Sequence, residues 1–239
     1  MKTVLHQAAT RGHANHGWLD SHHTFSFAGY QDPSRVHFGM LRVLNDDIVK
    51  GGNGFGRHPH DNMEIISIPL RGALEHSDNT GGHGIIKSGE VQIMSAGSGI
   101  AHSEKNASQT DDVNFLQIWV FPKERNIQPR YDQKLFEAKD RINKFQTVVS
   151  PEKVNGSSLW INQDAWFNLA TLHKGATADY KVHDVSHGMY VFVIEGTVSV
   201  NGQALNKRDG FGVWETEGVS VAAASDAEVL LIEVPMTTR

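Results

Sequence analysis

The apolar residues of this chain fall into short runs, and this pattern limits the fold more than any other feature. Gly, Asn, Asp or Pro bounds almost every run, which is typical of β-strands separated by turns. The predicted strands are residues 40–44, 63–70, 91–94, 113–121, 166–172, 190–196 and 228–234. A helical period is hard to find, and the best stretch, residues 131–138, is at most about two turns long. Many short strands predict an all-β sandwich or barrel.

Two pairs of similar segments indicate an internal duplication. Residues 70–78 resemble residues 194–202, and residues 115–122 resemble residues 229–235, where each strand is closed by a proline. The two matches have similar offsets and occur in the same order along the chain. The sequence therefore predicts two related β-units.

The segment between the two units, residues 137–158, is charged and rich in turn residues. We place the domain boundary there. Residues 1–138 are predicted to form an N-terminal domain that carries the metal site, and residues 139–239 a C-terminal domain without one.

The chain contains 14 histidines and no cysteine. Without thiolates, a bound metal must be held by nitrogen and oxygen ligands. Of the 14 histidines, 11 lie at or before residue 102. A metal site or a proton-transfer site is therefore expected in the front half of the chain.

Charge and hydropathy exclude several classes of protein. The net charge of −5 argues against a nucleic-acid-binding surface, which needs a basic excess. No apolar run approaches the roughly 18 residues of a membrane helix, and the first residues lack the apolar core of a secretory signal. We expect a cytoplasmic protein with neither a nucleic-acid nor a membrane partner.

Two pairs of metal-binding residue types share the spacing i, i+2: His58 with His60, and His102 with Glu104. Because side chains alternate along a strand, the members of each pair point to the same face. Two such strands side by side would present three imidazoles and one carboxylate to a common point. This set suits Fe(II), Mn, Ni, Cu or Zn. An octahedral ion would keep open positions for a substrate and dioxygen.

The segments around these pairs resemble the two motifs of the cupin superfamily. Gly52, His58, His60 and Glu64 follow the first motif, except that Glu64 arrives one residue early. A shift of one residue turns a strand side chain to the opposite face. Glu64 is therefore in doubt as a ligand, and the fourth position falls to Glu104. Whether Glu64 orients a ligand imidazole or is simply a paired carboxylate stays open.

Three longer stretches, residues 11–27, 55–67 and 93–104, resemble the pirin family of cupins, and the resemblance covers essentially the whole chain. It implies a two-domain cupin (a bicupin) with a metal only in the N-terminal barrel. The metal ligands that carry over are His58, His60, His102 and Glu104. The resemblance also implies quercetin 2,3-dioxygenase activity, or an iron-dependent regulatory role on a transcription factor.

The other histidines of the N-terminal stretch are predicted to order a segment that covers the site rather than to bind metal. They are His13, His16, His22 and His23.

Four further histidines have separate interpretations. His76 and His83 flank a turn and are expected to be solvated. His183 and His187 lie four residues apart without a carboxylate or histidine partner at ligand spacing, so no second metal is expected.

The expected function is metal-dependent cleavage of a flavonol such as quercetin by dioxygen, with release of carbon monoxide. Fe(II) is the expected metal, with Zn, Cu, Mn and Ni as alternatives. Glu104 is the candidate general base for the flavonol 3-hydroxyl group. One alternative is a non-catalytic regulatory protein whose metal redox state controls binding to a protein partner. A sugar isomerase or a simple small-ligand cupin is a third interpretation.

Overall fold

The structure, a computed structural model, describes residues 1–152 and 157–237. Strands dominate it, and the described residues contain no α-helix, only short 3₁₀ turns at Ala8–Thr10 and Ala138–Arg141. Accordingly, nothing in this part of the chain is a helix long and apolar enough to cross a membrane.

Strands β1 to β12 precede the second 3₁₀ turn, and β13 to β22 follow it. The first group is β1 (Lys2–His6), β2 (Gly12–Asn15), β3 (Leu19–His23), β4 (Leu41–Val49), β5 (Gly54–His60), β6 (Glu64–Arg71), β7 (Ala73–Asp78), β8 (His83–Lys87), β9 (Glu90–Ser95), β10 (Ile100–Asn106), β11 (Val113–Val120) and β12 (Arg130–Leu135). The second group is β13 (Gln146–Ser150), β14 (Leu159–Trp160), β15 (Trp166–Leu172), β16 (Thr177–Lys181), β17 (His187–Glu195), β18 (Val198–Val200), β19 (Gln203–Leu205), β20 (Gly210–Trp214), β21 (Gly218–Ala223) and β22 (Ala227–Pro235).

Every apolar run predicted as a strand overlaps one of these elements. The weak helical period at residues 131–138 was misleading, because this segment begins in β12. Six residues of β12 pair antiparallel with β9, so pairing in the sheet overrides the local pattern.

The strands form two large and two small sheets. The large sheets have the orders β12-β9-β6-β11-β4-β3-β2 and β1-β20-β17-β22-β15-β13-β14, and the small sheets β5-β10-β7-β8 and β16-β21-β18-β19. The orders match position by position, so β5 corresponds to β16, β6 to β17, β10 to β21 and β11 to β22. Each half is a barrel made of one large and one small sheet, which confirms the predicted all-β architecture of two related units.

The turns of the two halves match as well. Gly72 after β6 and Gly196 after β17 have φ angles of 78° and 79°, a region in which glycine avoids the steric cost of a Cβ atom. Asn201 and Gly202 connect β18 to β19 with φ angles of 48° and 87°. This is the hairpin turn that an Asn-Gly pair favours.

The N-terminal strand crosses to the other half. Residues Lys2 to His6 of β1 pair with β20, so the chain begins at the edge of the second large sheet before it enters the first barrel. The division at residues 138 and 139 did not anticipate this exchange and otherwise stays a prediction.

The two large sheets share one apolar core between the halves. Leu116 and Ile118 of β11 belong to the same buried cluster as Leu230 and Ile232 of β22. The alternate residues of these strands face the interiors of the two barrels. This core fixes the halves together and leaves each barrel interior as a separate space.

The two barrel interiors differ in polarity. The second is filled by one apolar cluster that includes Val191 and Leu231. In the first, two smaller apolar clusters are present, and along β11 Gln117 lies between the interior residues Phe115 and Trp119. The first barrel therefore has a polar interior in which a functional site can be built.

Candidate metal centre

The structure brings His58, His60 and His102 together. Strands β5 and β10 pair antiparallel, with His102 opposite His58. The ring centroids are 4.8 Å apart for His58 and His60, 4.5 Å for His58 and His102, and 5.0 Å for His60 and His102. One nitrogen of each ring lies within 4.8 Å of one nitrogen of the other two. The period-two spacing thus produces the predicted convergence of imidazoles.

A β-bulge in β5 helps to shape this cluster. The residue opposite Glu104 is Phe55, whereas the residue opposite His102 is His58, so β5 has one residue more than β10 between these two pairs. Bulges often redirect side chains next to functional sites. The carbonyl oxygen of Gly56, inside the bulge, accepts a 2.8 Å hydrogen bond from Nδ1 of His58. This bond leaves Nε2 of His58 as the nitrogen with a lone pair.

Two of the three imidazoles, those of His60 and His102, are in the protonation state that binds a metal. Burial, with further contributions from His102 and His58, lowers the pKa of His60 to about 4. Burial, with contributions from His58 and His76, lowers the pKa of His102 to about 3. Both rings are therefore neutral near pH 7, which is the form that binds metal ions.

An orphaned nitrogen supports the same conclusion. Nε2 of His102 is buried and has no hydrogen-bond partner among the described residues. A buried polar atom without a partner is costly, and a metal ion would satisfy it. The residues present therefore fit a divalent metal.

Behind His102 lies a chain of hydrogen bonds that the sequence did not reveal. Nε2 of His76 donates to Oδ2 of Asp78 at 2.9 Å, so Nδ1 of His76 is free to accept from Nδ1 of His102 at 3.5 Å. This order fixes the tautomer of His102 with its lone pair on Nε2. A carboxylate that orients a ligand imidazole is a common feature of metal sites.

The prediction that His76 is solvated was wrong, because His76 is fully buried. Its ring stacks on Tyr131 with centroids 4.3 Å apart, and it pairs with Glu104 across β7 and β10. His83 is exposed as expected.

Glu104 lies in the barrel interior next to His102, but it is not part of the group of three imidazoles. One of its oxygens lies within 4.8 Å of ligand atoms of His76 and His102. Its Oε2 accepts a 2.6 Å hydrogen bond from Nε2 of Gln117, and Oγ of Ser67 lies 3.0 Å from its Oε1. Whether Glu104 is the fourth ligand stays a prediction.

Ser67 can form a hydrogen bond with Glu104 in either protonation state of the Glu104 side chain. Oγ of Ser67 also lies 2.9 Å from Oε1 of Gln117, and a hydroxyl group has one hydrogen to donate. When Glu104 is ionised, Ser67 can donate to it. When Glu104 is protonated, Glu104 can donate to Ser67, which then donates to Gln117. Both protonation states of Glu104 are therefore hydrogen-bonded.

Glu64 faces away from the imidazoles, as its early position in the motif predicts. On β6 its face is that of Ile66, which belongs to the core between the halves. Oε2 of Glu64 accepts from Oγ of Ser95 at 2.7 Å and from the backbone nitrogen of Asn162 at 3.1 Å. Burial raises the pKa of Glu64 to about 7. Glu64 therefore joins the two halves and does not contact the candidate ligands.

A cleft of about 400 Å³ opens beside His60. Its wall includes Asn79, Gly99 and Ile100. On the interior side, the indole of Trp119 packs edge-on against His60 with ring centroids 5.0 Å apart. His60 lines this cleft, whereas His58 and His102 do not.

The remaining N-terminal histidines divide into two environments. His13 and His22 stack on the exposed surface, with Asp20 2.7 Å from Nε2 of His13, and the three form a second group whose geometry would permit an ion. His23 is buried, and its Nε2 lies 2.7 Å from Oγ of Ser21. His16 is exposed in the turn between β2 and β3.

His183 and His187, which have no carboxylate partner at ligand spacing in the sequence, share one in the structure. Nδ1 of each lies 2.8 Å from an oxygen of Glu233. Glu233 is distant in sequence, so spacing along the chain did not reveal it. Neither histidine belongs to a metal-binding group among the described residues.

Comparisons with known proteins agree with the fold and the site. The Pirin family model matches residues 4–120, and the model of the quercetinase C-terminal cupin domain matches residues 147–234. Quercetin 2,3-dioxygenase of Escherichia coli (strain K12) is 44% identical over 233 residues, which are 97% of this chain and 98% of that protein.

Two solved structures are similar over the whole chain. YhhW from Escherichia coli has a TM-score of 0.94 at 42% identity and covers 100% of both chains. The bacterial pirin YhhW in complex with nickel(II), also from Escherichia coli, has a TM-score of 0.92 at 42% identity and covers 99% of this chain and 100% of that one. The predicted resemblance and the predicted bicupin fold are confirmed.

Proposed function

The chain belongs to the pirin family, and from this premise we propose that it is a metal-dependent dioxygenase that cleaves a flavonol such as quercetin. The reaction consumes dioxygen, breaks the C2–C3 and C3–C4 bonds of the flavonol and releases C3 with its oxygen as carbon monoxide, while both atoms of dioxygen enter the remaining product. The similarity to quercetin 2,3-dioxygenase of Escherichia coli over nearly the full length supports an oxidoreductase that acts with dioxygen.

The observation that carries this proposal is the convergence of three imidazoles, two of them neutral near pH 7, in a barrel whose interior also contains the Glu104 carboxylate. We assign His58, His60, His102 and Glu104 as the metal ligands. The metal, when bound, would coordinate the flavonol 3-oxygen and lower the pKa of that hydroxyl group.

Glu104 is our candidate for the residue that accepts the 3-hydroxyl proton. Its hydrogen bonds to Ser67 and Gln117 hold the carboxylate in one orientation, and they also accommodate the protonated acid. General base catalysis needs a group that is stable in both protonation states and fixed near the proton that it accepts.

The apolar part of the site would orient the substrate and limit access of water. Trp119 packs on His60 and also makes an edge contact with Phe27, with ring centroids 5.4 Å apart. Phe27 belongs to the N-terminal stretch that we expected to cover the site. An aromatic surface of this kind suits a planar flavonol better than a sugar, which favours the dioxygenase over a sugar isomerase.

We propose Fe(II) as the native metal. The nitrogen and oxygen donor set accepts several divalent ions, and a related pirin binds nickel(II). The ligand types alone therefore do not select one metal, and the experiment below compares several.

The test is a flavonol assay on protein loaded separately with Fe(II), Ni(II) or Zn(II). We expect the flavonol absorbance band to disappear in air but not under anaerobic conditions, with carbon monoxide evolved. His58→Ala should lose both metal and turnover, whereas His173→Ala, at an exposed position in the second half, should retain both. Absence of turnover with every metal would contradict the proposal and favour the regulatory alternative.

A further inference from the structure

The second barrel carries a polar cluster at the same end as the candidate metal centre. His58 and His60 lie where β5 leads into β6, and Trp119 lies near the end of β11. In the second half, His183 lies between β16 and β17, His187 begins β17, and Glu233 lies near the end of β22. The matched strand orders place these two groups at equivalent ends of their barrels.

The rest of the second barrel does not imitate the metal centre. The interior face of β21, the counterpart of β10, carries Val219 and Val221 in the apolar cluster. Along β22 the interior residues are Val229, Leu231 and Glu233, so a fully buried carboxylate follows two apolar residues. Such a carboxylate needs partners, and those partners define the cluster.

Glu233 accepts hydrogen bonds from three side chains. Nδ1 of His187 and Nδ1 of His183 each lie 2.8 Å from a carboxylate oxygen, and the hydroxyl of Tyr180 donates to Oε2 at 2.7 Å. Burial opposes ionisation, but these bonds outweigh it and hold the pKa of Glu233 below its usual range. Glu233 is therefore a carboxylate near pH 7.

The Glu233 carboxylate determines which ring nitrogen of His183 and of His187 is available to a ligand. Because Nδ1–H of each ring donates to Glu233, Nε2 is the nitrogen of each ring that can carry a lone pair and accept a hydrogen bond. The two rings do not belong to a metal-binding group among the described residues. They are therefore arranged as two separate acceptors rather than as ligands of one ion.

Both imidazoles line a cavity of about 620 Å³ between the halves. This volume lies within the roughly 300–1,000 Å³ of small-molecule sites, which favour interfaces between domains. Phe121 and Met40 of the first half and Trp166 of the second form apolar walls. The ring of His183 stacks on Trp166 with centroids 4.0 Å apart and an interplanar angle of 5°, so the wall here is a flat aromatic surface.

One cation at this cavity is available to an anionic ligand. Lys123 is paired with Asp164 at 2.8 Å. Asp184 accepts from the backbone and side chain of Ser186, both at 2.8 Å. Arg125 also lines the cavity, is exposed, and has no ion-pair partner among the described residues. Its guanidinium is available for a carboxylate.

We propose that this cavity is a second ligand site, which binds a planar aromatic carboxylate that carries hydroxyl groups. The hydroxyls donate to Nε2 of His183 and His187, the ring lies on the aromatic wall, and the carboxylate pairs with Arg125. None of the four proposed metal ligands lines this cavity. The site therefore extends beyond flavonol cleavage and does not require turnover.

The probe is 3,5-dihydroxybenzoate, whose separated hydroxyls cannot chelate a metal, titrated calorimetrically into the metal-loaded full chain. Benzoate and 3,5-dihydroxybenzyl alcohol are the matched ligands that lack the hydroxyls and the carboxylate. We expect the probe to bind about ten-fold more tightly than the benzyl alcohol, which lacks the one charged contact. Benzoate lacks both hydroxyl contacts, so the probe should bind at least about ten-fold more tightly than benzoate.

Two variants separate the contacts. His183→Ala should reduce the advantage of the probe over benzoate, because one of the two hydroxyl contacts is lost, and Arg125→Gln should remove its advantage over the benzyl alcohol. Arg125 is exposed, so this variant tests the site without disturbing the core. His173→Ala should leave binding unchanged.

His58→Ala distinguishes this site from the metal centre. Retained binding in this variant, with metal lost, supports a second site even if the flavonol assay fails. Binding that disappears in His58→Ala, that is unaffected by both cavity variants, or that is absent up to about 10 mM probe would overturn the proposal.

Discussion

Nδ1 of His102 lies 3.5 Å from Nδ1 of His76, and His76 in turn donates to Asp78 at 2.9 Å. The order of these bonds determines which nitrogen of His102 carries the proton. With Nδ1–H directed to His76, the buried Nε2 presents its lone pair to the point where the other two imidazoles converge. A buried carboxylate thus acts on the candidate centre through one intervening ring.

Replacing His76 should weaken metal binding without removing a proposed ligand. In His76→Ala, Nδ1 of His102 loses its acceptor, so the ring can rotate or change tautomer. Loss of such an orienting partner typically reduces metal affinity about 10- to 100-fold. A competition titration with a chromophoric chelator measures this change.

The control is His83→Ala, which removes an exposed imidazole from the neighbouring strand β8. It should leave metal affinity unchanged. Equal affinity in His76→Ala and the wild type would show that the chain from Asp78 to His102 has no effect on the centre.

Replacing Glu104 by glutamine should separate metal binding from turnover. The amide can still accept from Gln117 and can donate to Ser67, so the hydrogen bonds around it persist. It cannot accept the flavonol proton, and loss of a general base costs about 10²- to 10⁴-fold in rate. We expect Glu104→Gln to retain part of the metal and lose turnover.

Metal content and flavonol consumption are measured on the same sample. His58→Ala, which removes an imidazole, serves as the variant that loses the metal itself. If Glu104→Gln consumes quercetin at the wild-type rate, another group accepts the proton.

Glu64 should make the protein less stable as the pH rises. Its pKa is about 7 in the folded chain, against an ordinary value of 4.5. Below pH 4.5 the carboxyl is protonated in both states and has no net effect. Between these values the unfolded chain loses the proton while the folded chain keeps it, so the free energy of unfolding falls, by on the order of 3 kcal/mol at and above the folded pKa.

Glu64→Gln removes this titration, because its amide oxygen can still accept from Ser95 and from the backbone of Asn162. Denaturant unfolding of the variant and the wild type at several pH values measures the difference. The gain in stability of the variant should grow from pH 4.5 to 7 and then level off. Glu124→Gln, at an exposed position, should show no such growth, and a constant difference for Glu64→Gln would rule out the titration.

Part of the site was predictable because local geometry determines it. The i, i+2 spacing of His58 with His60 and of His102 with Glu104 places each pair on one face of a strand. The early position of Glu64 correctly indicated that it faces the opposite side. These conclusions depend only on strand periodicity.

What sequence could not show depends on pairing between distant strands. His76 reaches the site only because β7 pairs with β10 in one register, in which Glu104 lies opposite His76. Glu233 meets His183 and His187 across about fifty residues of chain. One signal was available, since a glutamate follows Val229 and Leu231 in an alternating apolar pattern, which marks a buried carboxylate in need of partners.

Gly97 has a backbone conformation and surroundings that leave no room for a side chain, so adding a single methyl group there should be costly. Its φ is 50°, and a Cβ would overlap the carbonyl oxygen of Ile127. The carbonyl of Gly97 also accepts from the backbone of Asn62 at 2.9 Å, in the loop that follows His60. Gly97→Ala should therefore lower the free energy of unfolding by about 2–4 kcal/mol and reduce metal occupancy.

The control is Gly56→Ala, which has open space at its Cβ position and should change the free energy of unfolding by about 1 kcal/mol or less. Equal stability of the two variants would mean that the loop can relax away from Ile127.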